Sequence, residues 1–178
     1  MQPVSPTALR YDPTTIFFHW VTAVLVVGQW LGAQTIDWFP RGPLRVDARS
    51  VHIVVGVLIA IVLVARMYWR LTAGRRLKLA DAGALAVIAK LTHWGLYALI
   101  AAMIVAGCAL AWVRGDSLFN LLQIPAYAPG NHALVERVEY VHVTIGWGIL
   151  SLAGLHALAA LAHRYVWDDG VLSRMLPR

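Results

Sequence analysis

The stretch V-H-V-T-I-G-W-G-I-L-S-L-A-G-L-H, residues Val141–His156, holds two histidines fourteen residues apart in an otherwise apolar run. Fourteen residues is almost four helical turns, so on a helix the two imidazoles share nearly one face and stand roughly 21 Å apart along the axis. The hydrocarbon of a bilayer is ~30 Å thick. A helix crossing it would carry one histidine near each surface. Ionisable groups at such depths are costly, and by default they mark function.

The rest of the chain agrees with a membrane setting. Of 178 residues, 60% are hydrophobic and 13% charged, and the mean hydropathy is +0.66. That is too apolar and too poor in charge for an ordinary soluble domain. The expectation is an all-α integral membrane protein, one domain over residues 1–178. The first fifteen residues, through Thr15, hold no apolar core, so no cleavable signal is expected and the first span should stay. The one cysteine, Cys108, lies in an apolar stretch, which excludes a disulfide within the chain, and no C-x-x-C-H site for covalent haem exists. A net charge of +6 and a pI near 10.0 would suggest nucleic acid in a soluble protein. Here the basic residues bracket apolar spans, so the expected partner is membrane lipid and not nucleic acid.

Four segments are long enough to cross: about 16–36, 50–67, 91–113 and 138–162. The loop Asp37–Arg49 holds Pro40, Gly42 and Pro43. The loop Arg114–Arg137 holds Gly115, Pro125, Pro129 and Gly130, and its length predicts a short surface helix or a functional cap. Arg10, Arg66, Arg70, Arg75, Arg76, Lys78, Lys90, Arg164, Arg174 and Arg178 fall on one side, ten cations, against five on the other: Arg41, Arg45, Arg49, Arg114 and Arg137. The richer side is expected in the cytoplasm, with both termini. Tryptophans and tyrosines near span ends, among them Trp20, Trp38, Trp69, Trp94, Trp112 and Tyr140, read as interfacial anchors.

This topology gives each histidine a depth. His52 and His142 fall near the outer side, His19 and His156 near the inner side. Two bis-histidine sites result from three helices, the fourth serving both. Low-spin haem iron used for electron transfer takes two strong nitrogen ligands and keeps no open position. One turn beyond each of these four histidines stands a small residue, Ala23, Gly56, Gly146 or Ala160, whereas Tyr97 and Trp167 follow His93 and His163. A lone membrane histidine is usually an interhelical hydrogen bonder. Four at matched depths, two of them in register on one helix, point to haem instead. Zinc also takes histidine. A transport site would recruit Asp or Glu as well, and the span interiors lack them. His93, beside Lys90 and Trp94, is placed to meet a quinone head group, a haem propionate, or only backbone and water. His132 reads as a solvated loop residue, and His163 as too near the surface for a central haem.

At these residues the chain resembles the bacterial cytochrome b561 family. The resemblance is carried by F-H-W at Phe18–Trp20, V-H-I-V-V-G at Val51–Gly56, L-T-H-W-G-L-Y at Leu91–Tyr97, V-H-V-T-I-G at Val141–Gly146, and the closing stretch Leu155–Arg178, which is similar to the superoxide oxidase subgroup. It implies a four-helix bundle with two b haems, His52/His142 holding the outer and His19/His156 the inner. It implies an enzyme of the bacterial inner membrane that oxidises superoxide to dioxygen at the periplasmic face and passes electrons to ubiquinone.

Under that reading Arg41, Arg45, Arg49 and Arg137 are expected to focus the superoxide anion on the outer haem edge, although pairing with haem propionates would occupy the same residues. Glu136 and Glu139, near His142, oppose an approaching anion. The quinone site is expected at the inner ends of the second, third and fourth helices, with His93, Lys90 and Lys78 as contacts. The alternative is an electron-carrier subunit that links a partner dehydrogenase to quinone through the same four ligands. A metal or proton transporter using the histidines is the third class.

Overall fold

The computed structural model describes residues 10–77 and 83–177. Lys78, one of the expected quinone contacts, lies outside the described residues. Four long helices dominate: α1 (Pro13–Thr35), α2 (Pro43–Thr72), α3 (Gly83–Arg114) and α4 (His132–Tyr165). Each is long and apolar enough to cross a membrane. α2, α3 and α4 contain the expected spans 50–67, 91–113 and 138–162 and run past them, whereas α1 covers 16–35 and Ile36 already belongs to a short 3-10 turn, Ile36–Trp38. At 1.5 Å per residue, α2, α3 and α4 are about 45–50 Å long and must project beyond the ~30 Å hydrocarbon layer.

Local chemistry sets the helix ends. Asp12 caps α1, accepting from the Thr15 N–H at 2.9 Å and its hydroxyl at 2.7 Å, and Pro13 fits the first turn, which needs no N–H. Pro43 opens α2 in the same way, after Gly42 at φ 139°, a backbone angle that favours glycine. Asn131 caps α4 by accepting from Leu134 N–H at 3.1 Å. His132 is therefore the first residue of α4 and not a loop residue, although it is exposed.

The long connection between α3 and α4 forms a β-hairpin rather than a helix: β1 (Ser117–Leu118) pairs antiparallel with β2 (Leu122–Gln123). Phe119 and Asn120 take φ of 52° and 56°, and Leu121 N–H bonds Leu118 O at 2.9 Å, a turn whose twist suits a hairpin. The hairpin is tied to α2. The fully buried Ser50 hydroxyl accepts from Phe119 N–H at 2.8 Å, and Arg49 meets the buried Asp116 at 3.0 Å. The expected short surface helix is thus replaced by a hairpin held to the start of α2. The bundle thus has a hairpin end and a terminal end. At the latter the C-terminal segment folds over the start of α1: Tyr11 N–H bonds Arg174 O, and Trp20 Nε1 bonds Met175 O at 2.7 Å. His163 sits there too, its Nδ1 2.5 Å from Asp169, whose carboxyl it holds below the usual range.

Packing is uneven. α1 lies along α2, α3 along α4, and α2 touches α3, but α4 makes almost no close backbone approach to α1 or α2. Midway along, Ile59 and Leu63 of α2, Ile100 of α3 and Ile149 of α4 form a small core. Trp30 of α1 meets Trp147 of α4 edge-on at 5.5 Å. Large apolar side chains elsewhere point outward: Val24, Val64, Val105 and Leu155 are all more than half exposed. In water such a surface would aggregate, whereas in lipid it is the solvated surface. The chain is a multi-pass, mostly helical membrane protein.

Candidate haem centres

The slots left between α4 and the α1–α2 pair are where the four histidines meet. His52 of α2 faces His142 of α4 with ring centroids 6.2 Å apart and planes at 68°. His19 of α1 faces His156 of α4 at the same 6.2 Å and 68°. Ile149 lies seven residues from each α4 histidine, so the small core separates the two pairs. The histidines of matched depth are neighbours in the fold, and His156 has a second imidazole, that of His93, at its side.

The spacing tests what could lie between the rings. Two metal–nitrogen bonds of about 2 Å, with the half-widths of two imidazoles, sum to a centroid separation of about 6 Å. Both pairs have it. His52 Nδ1 and His142 Nδ1 are buried without a hydrogen-bond partner, a costly state for rings that only pack. Among the described residues no three His, Cys, Asp or Glu side chains converge on one point. A zinc site would want four protein donors or three and water, whereas a haem brings four nitrogens and needs only the axial pair. The donor set fits haem. A groove of about 460 Å³ also opens between α1 and α2 beside His52, walled by Gly28, Gly32 and Val55.

Supporting residues differ from those singled out by spacing. Gln29 of α1 donates to His52 O at 2.6 Å, and a side chain at Gly56 would meet that Gln29 amide. A side chain at Gly146 would meet Met103 of α3. These two glycines admit neighbouring side chains in this structure. The glycine against one of the paired imidazoles is Gly107 of α3, where an added Cβ would stand 3.3 Å from His142 Cε1. Nothing in the linear spacing marks it, since it belongs to a helix that supplies none of the four paired histidines. Arg66, counted in the sequence only for topology, places Nη2 3.4 Å from His19 Nδ1 and its guanidinium 5.2 Å from the Tyr97 ring. His93 of α3 stands 5.2 Å from His156, ring to ring. Lys90, one turn earlier, is exposed.

The arginines at the hairpin end divide into two groups. Arg45 spends its donors on Phe39 O and Asp37, with an ion pair of 3.3 Å, and Arg49 is held by Asp116. Arg114 bridges Asp116 at 3.8 Å and Glu139 at 3.0 Å, so Glu139 is neutralised beside His142. Arg41 and Arg137 are exposed and, among the described residues, have no ion pair.

The family profile described as prokaryotic cytochrome b561 matches residues 10–178. A probable superoxide oxidase CybB of Yersinia pestis is 28% identical over 172 residues, covering 95% of this chain and 97% of its own. Cytochrome b561 homolog 2 of Escherichia coli (strain K12) is 26% identical over 180 residues, covering 96% and 93%. Cytochrome b561 homolog 1 of the same organism is 27% identical over 192 residues, covering 95% and 98%. With two paired-histidine slots in a four-helix membrane bundle, the chain belongs to the prokaryotic cytochrome b561 family, membrane electron-transfer proteins that bind haem b.

Proposed function

We propose that this cytochrome oxidises superoxide at the hairpin end and delivers the electrons to ubiquinone near the terminal end. Two b haems, held by His52/His142 and by His19/His156, would supply one-electron redox chemistry. The balanced reaction is two superoxide anions, one quinone and two protons giving two dioxygen molecules and one quinol. The observation that carries the reading is the equal ring separation, 6.2 Å, in two histidine pairs fourteen residues apart along α4, which supports a redox centre in each half of the bundle. The likeness to the Yersinia relative, itself named a probable superoxide oxidase, supports the choice of donor.

The hairpin end faces the periplasm of a bacterial inner membrane and both termini face the cytoplasm. The lysine and arginine count supports this: ten of the fifteen fall by sequence on the side of the termini. The hairpin end has five cations and five acids (Asp37, Asp47, Asp116, Glu136, Glu139), which sum to zero. Attraction of superoxide is therefore local. Arg41 and Arg137 provide it, while Arg45 and Arg49 chiefly hold the loop and the hairpin in place. At the other end His93, Lys90 and Lys78 contact the quinone, His93 being the one beside His156.

The neutral hairpin end favours one second reading, a carrier subunit that receives electrons from a docked dehydrogenase. Purified protein exposed to enzymatically generated superoxide separates the two. Reduction of the b-type α band by superoxide, abolished by superoxide dismutase and reversed by added ubiquinone, is the expected result. A cytochrome that stays oxidised under superoxide and is reduced only by a co-purifying partner is a carrier.

A further inference from the structure

Arg66 is a cation inside a membrane-spanning helix, and among the described residues it has no carboxylate partner. Such a charge is expensive in lipid unless something negative answers it. Its nearest polar contact, His19 Nδ1 at 3.4 Å, does not answer it. A guanidinium only donates, so Nδ1 would have to accept, which puts the ring's proton on Nε2. A His19 that gives iron a lone pair from Nε2 carries its proton on Nδ1 and faces Arg66 donor to donor. If Nδ1 is the ligating atom, Arg66 stands where the iron belongs. Either way a ligating His19 and this contact exclude one another, and the guanidinium needs another acceptor close by.

The surroundings say what kind. Arg66 stands at the edge of the slot between His19 and His156, its guanidinium between His19 of α1 and the Tyr97 ring of α3. Arg70 is one turn further along the same face of α2. Among the described residues neither arginine has an acid partner. The matching partner is a carboxylate group, bidentate for the planar fork of Arg66. We propose that Arg66, assisted by Arg70, is the clamp for the propionate carboxylates of the haem held by His19 and His156, fixing that haem's edge toward α2 and α3. The inference rests on the assignment of that histidine pair. A lipid phosphate offers the same kind of acceptor and is the competing source.

The consequence for function is a directional one. A fixed cation at the haem edge favours the reduced form, so this centre becomes the better acceptor and draws electrons toward the terminal end.

The test is redox titration and resonance Raman spectroscopy of the purified holoprotein, with haem and phospholipid content measured alongside. In Arg66→Gln the propionate-bending band of one haem moves and its reduction midpoint falls, by the equivalent of about tenfold in the reduction equilibrium (~59 mV for one electron). Arg66→Lys restores most of the midpoint but not the band, because it keeps the charge and loses the fork. Loss of this haem from the Gln variant that Lys restores counts equally in favour, and loss from both variants counts against a charge clamp. Unchanged band and midpoint in Arg66→Gln, with bound phospholipid reduced, would assign the arginine to lipid and overturn the proposal. A His19→Ala protein that keeps both haems removes the histidine pair itself and the proposal with it.

Discussion

Replacing Gly107 tests whether the slot between His52 and His142 is a ligand site or only a gap between helices. An alanine Cβ there would stand 3.3 Å from His142 Cε1, tighter than an ordinary carbon contact, so the ring must give by a few tenths of an ångström. On helix propensity alone the change should stabilise α3 by up to about 1 kcal/mol. Rotating a side chain off its preferred rotamer costs on the order of 0.5–1.5 kcal/mol. The two effects fall on different observables. Chain stability should hold or rise, while the haem that needs His142 in register binds roughly two- to tenfold more weakly. In Gly107→Val two further methyl groups enter the same space, and that haem should be lost. The assay is haem-to-protein stoichiometry with a two-centre redox titration: only the component that His52→Ala also removes should change. A Gly107→Val protein with two haems and unperturbed midpoints would refute the reasoning, because His142 would then be free to move without consequence.

The paired geometry predicts paired loss: His52→Ala and His142→Ala should each remove one and the same haem, and His19→Ala and His156→Ala the other, read from the haem stoichiometry and the low-temperature α bands. If Arg41 and Arg137 supply the local attraction, Gln at both should slow reduction by superoxide severalfold and leave both haem spectra intact. Stopped-flow rates against ionic strength check this, and the salt effect should be modest because the hairpin end is formally neutral. For the quinone contacts, His93→Ala and Lys78→Ala should slow reoxidation by ubiquinone without slowing reduction by superoxide, and equal reoxidation rates in both would leave that site elsewhere. At Asp12, burial alone would raise the carboxyl, but hydrogen bonds from Thr15, the Arg75 N–H and Trp69 outweigh it and hold it at about 2, against 3.8 ordinarily. The contribution is therefore present above about pH 4 and lost as pH falls toward 2. Because the group is only partly buried, Asp12→Ala should cost about 1 kcal/mol in a thermal melt, and the difference from wild type should shrink over that acid range.

Much of this protein is legible in one dimension. Crossing a bilayer takes a fixed length of apolar chain, so the four helices can be read from hydropathy, and the rise per residue turns sequence position into depth. That is why position along the chain suffices to match His52 with His142, and His19 with His156. The asymmetry of arginine and lysine likewise needs only a count. Rotation of each helix about its axis is not legible. In water the apolar stripe of a helix says which face turns inward, but a lipid-facing side is as apolar as a core-facing one, and the pattern no longer separates them. Gly107 against His142, Gln29 under the His52 carbonyl, and Arg66 across from His19 all depend on that rotation, and each joins residues of different helices. The hairpin is hidden for another reason. Its strands are two residues each, too short for any periodicity, and it exists because the Ser50 hydroxyl and the Arg49–Asp116 ion pair satisfy polar groups that α2 brings from far along the chain. Local composition determined which segments cross the membrane and how deep each histidine lies. Packing alone decided which other side chains stand beside each histidine pair, because that choice is made by contacts between helices and leaves no trace in any one of them.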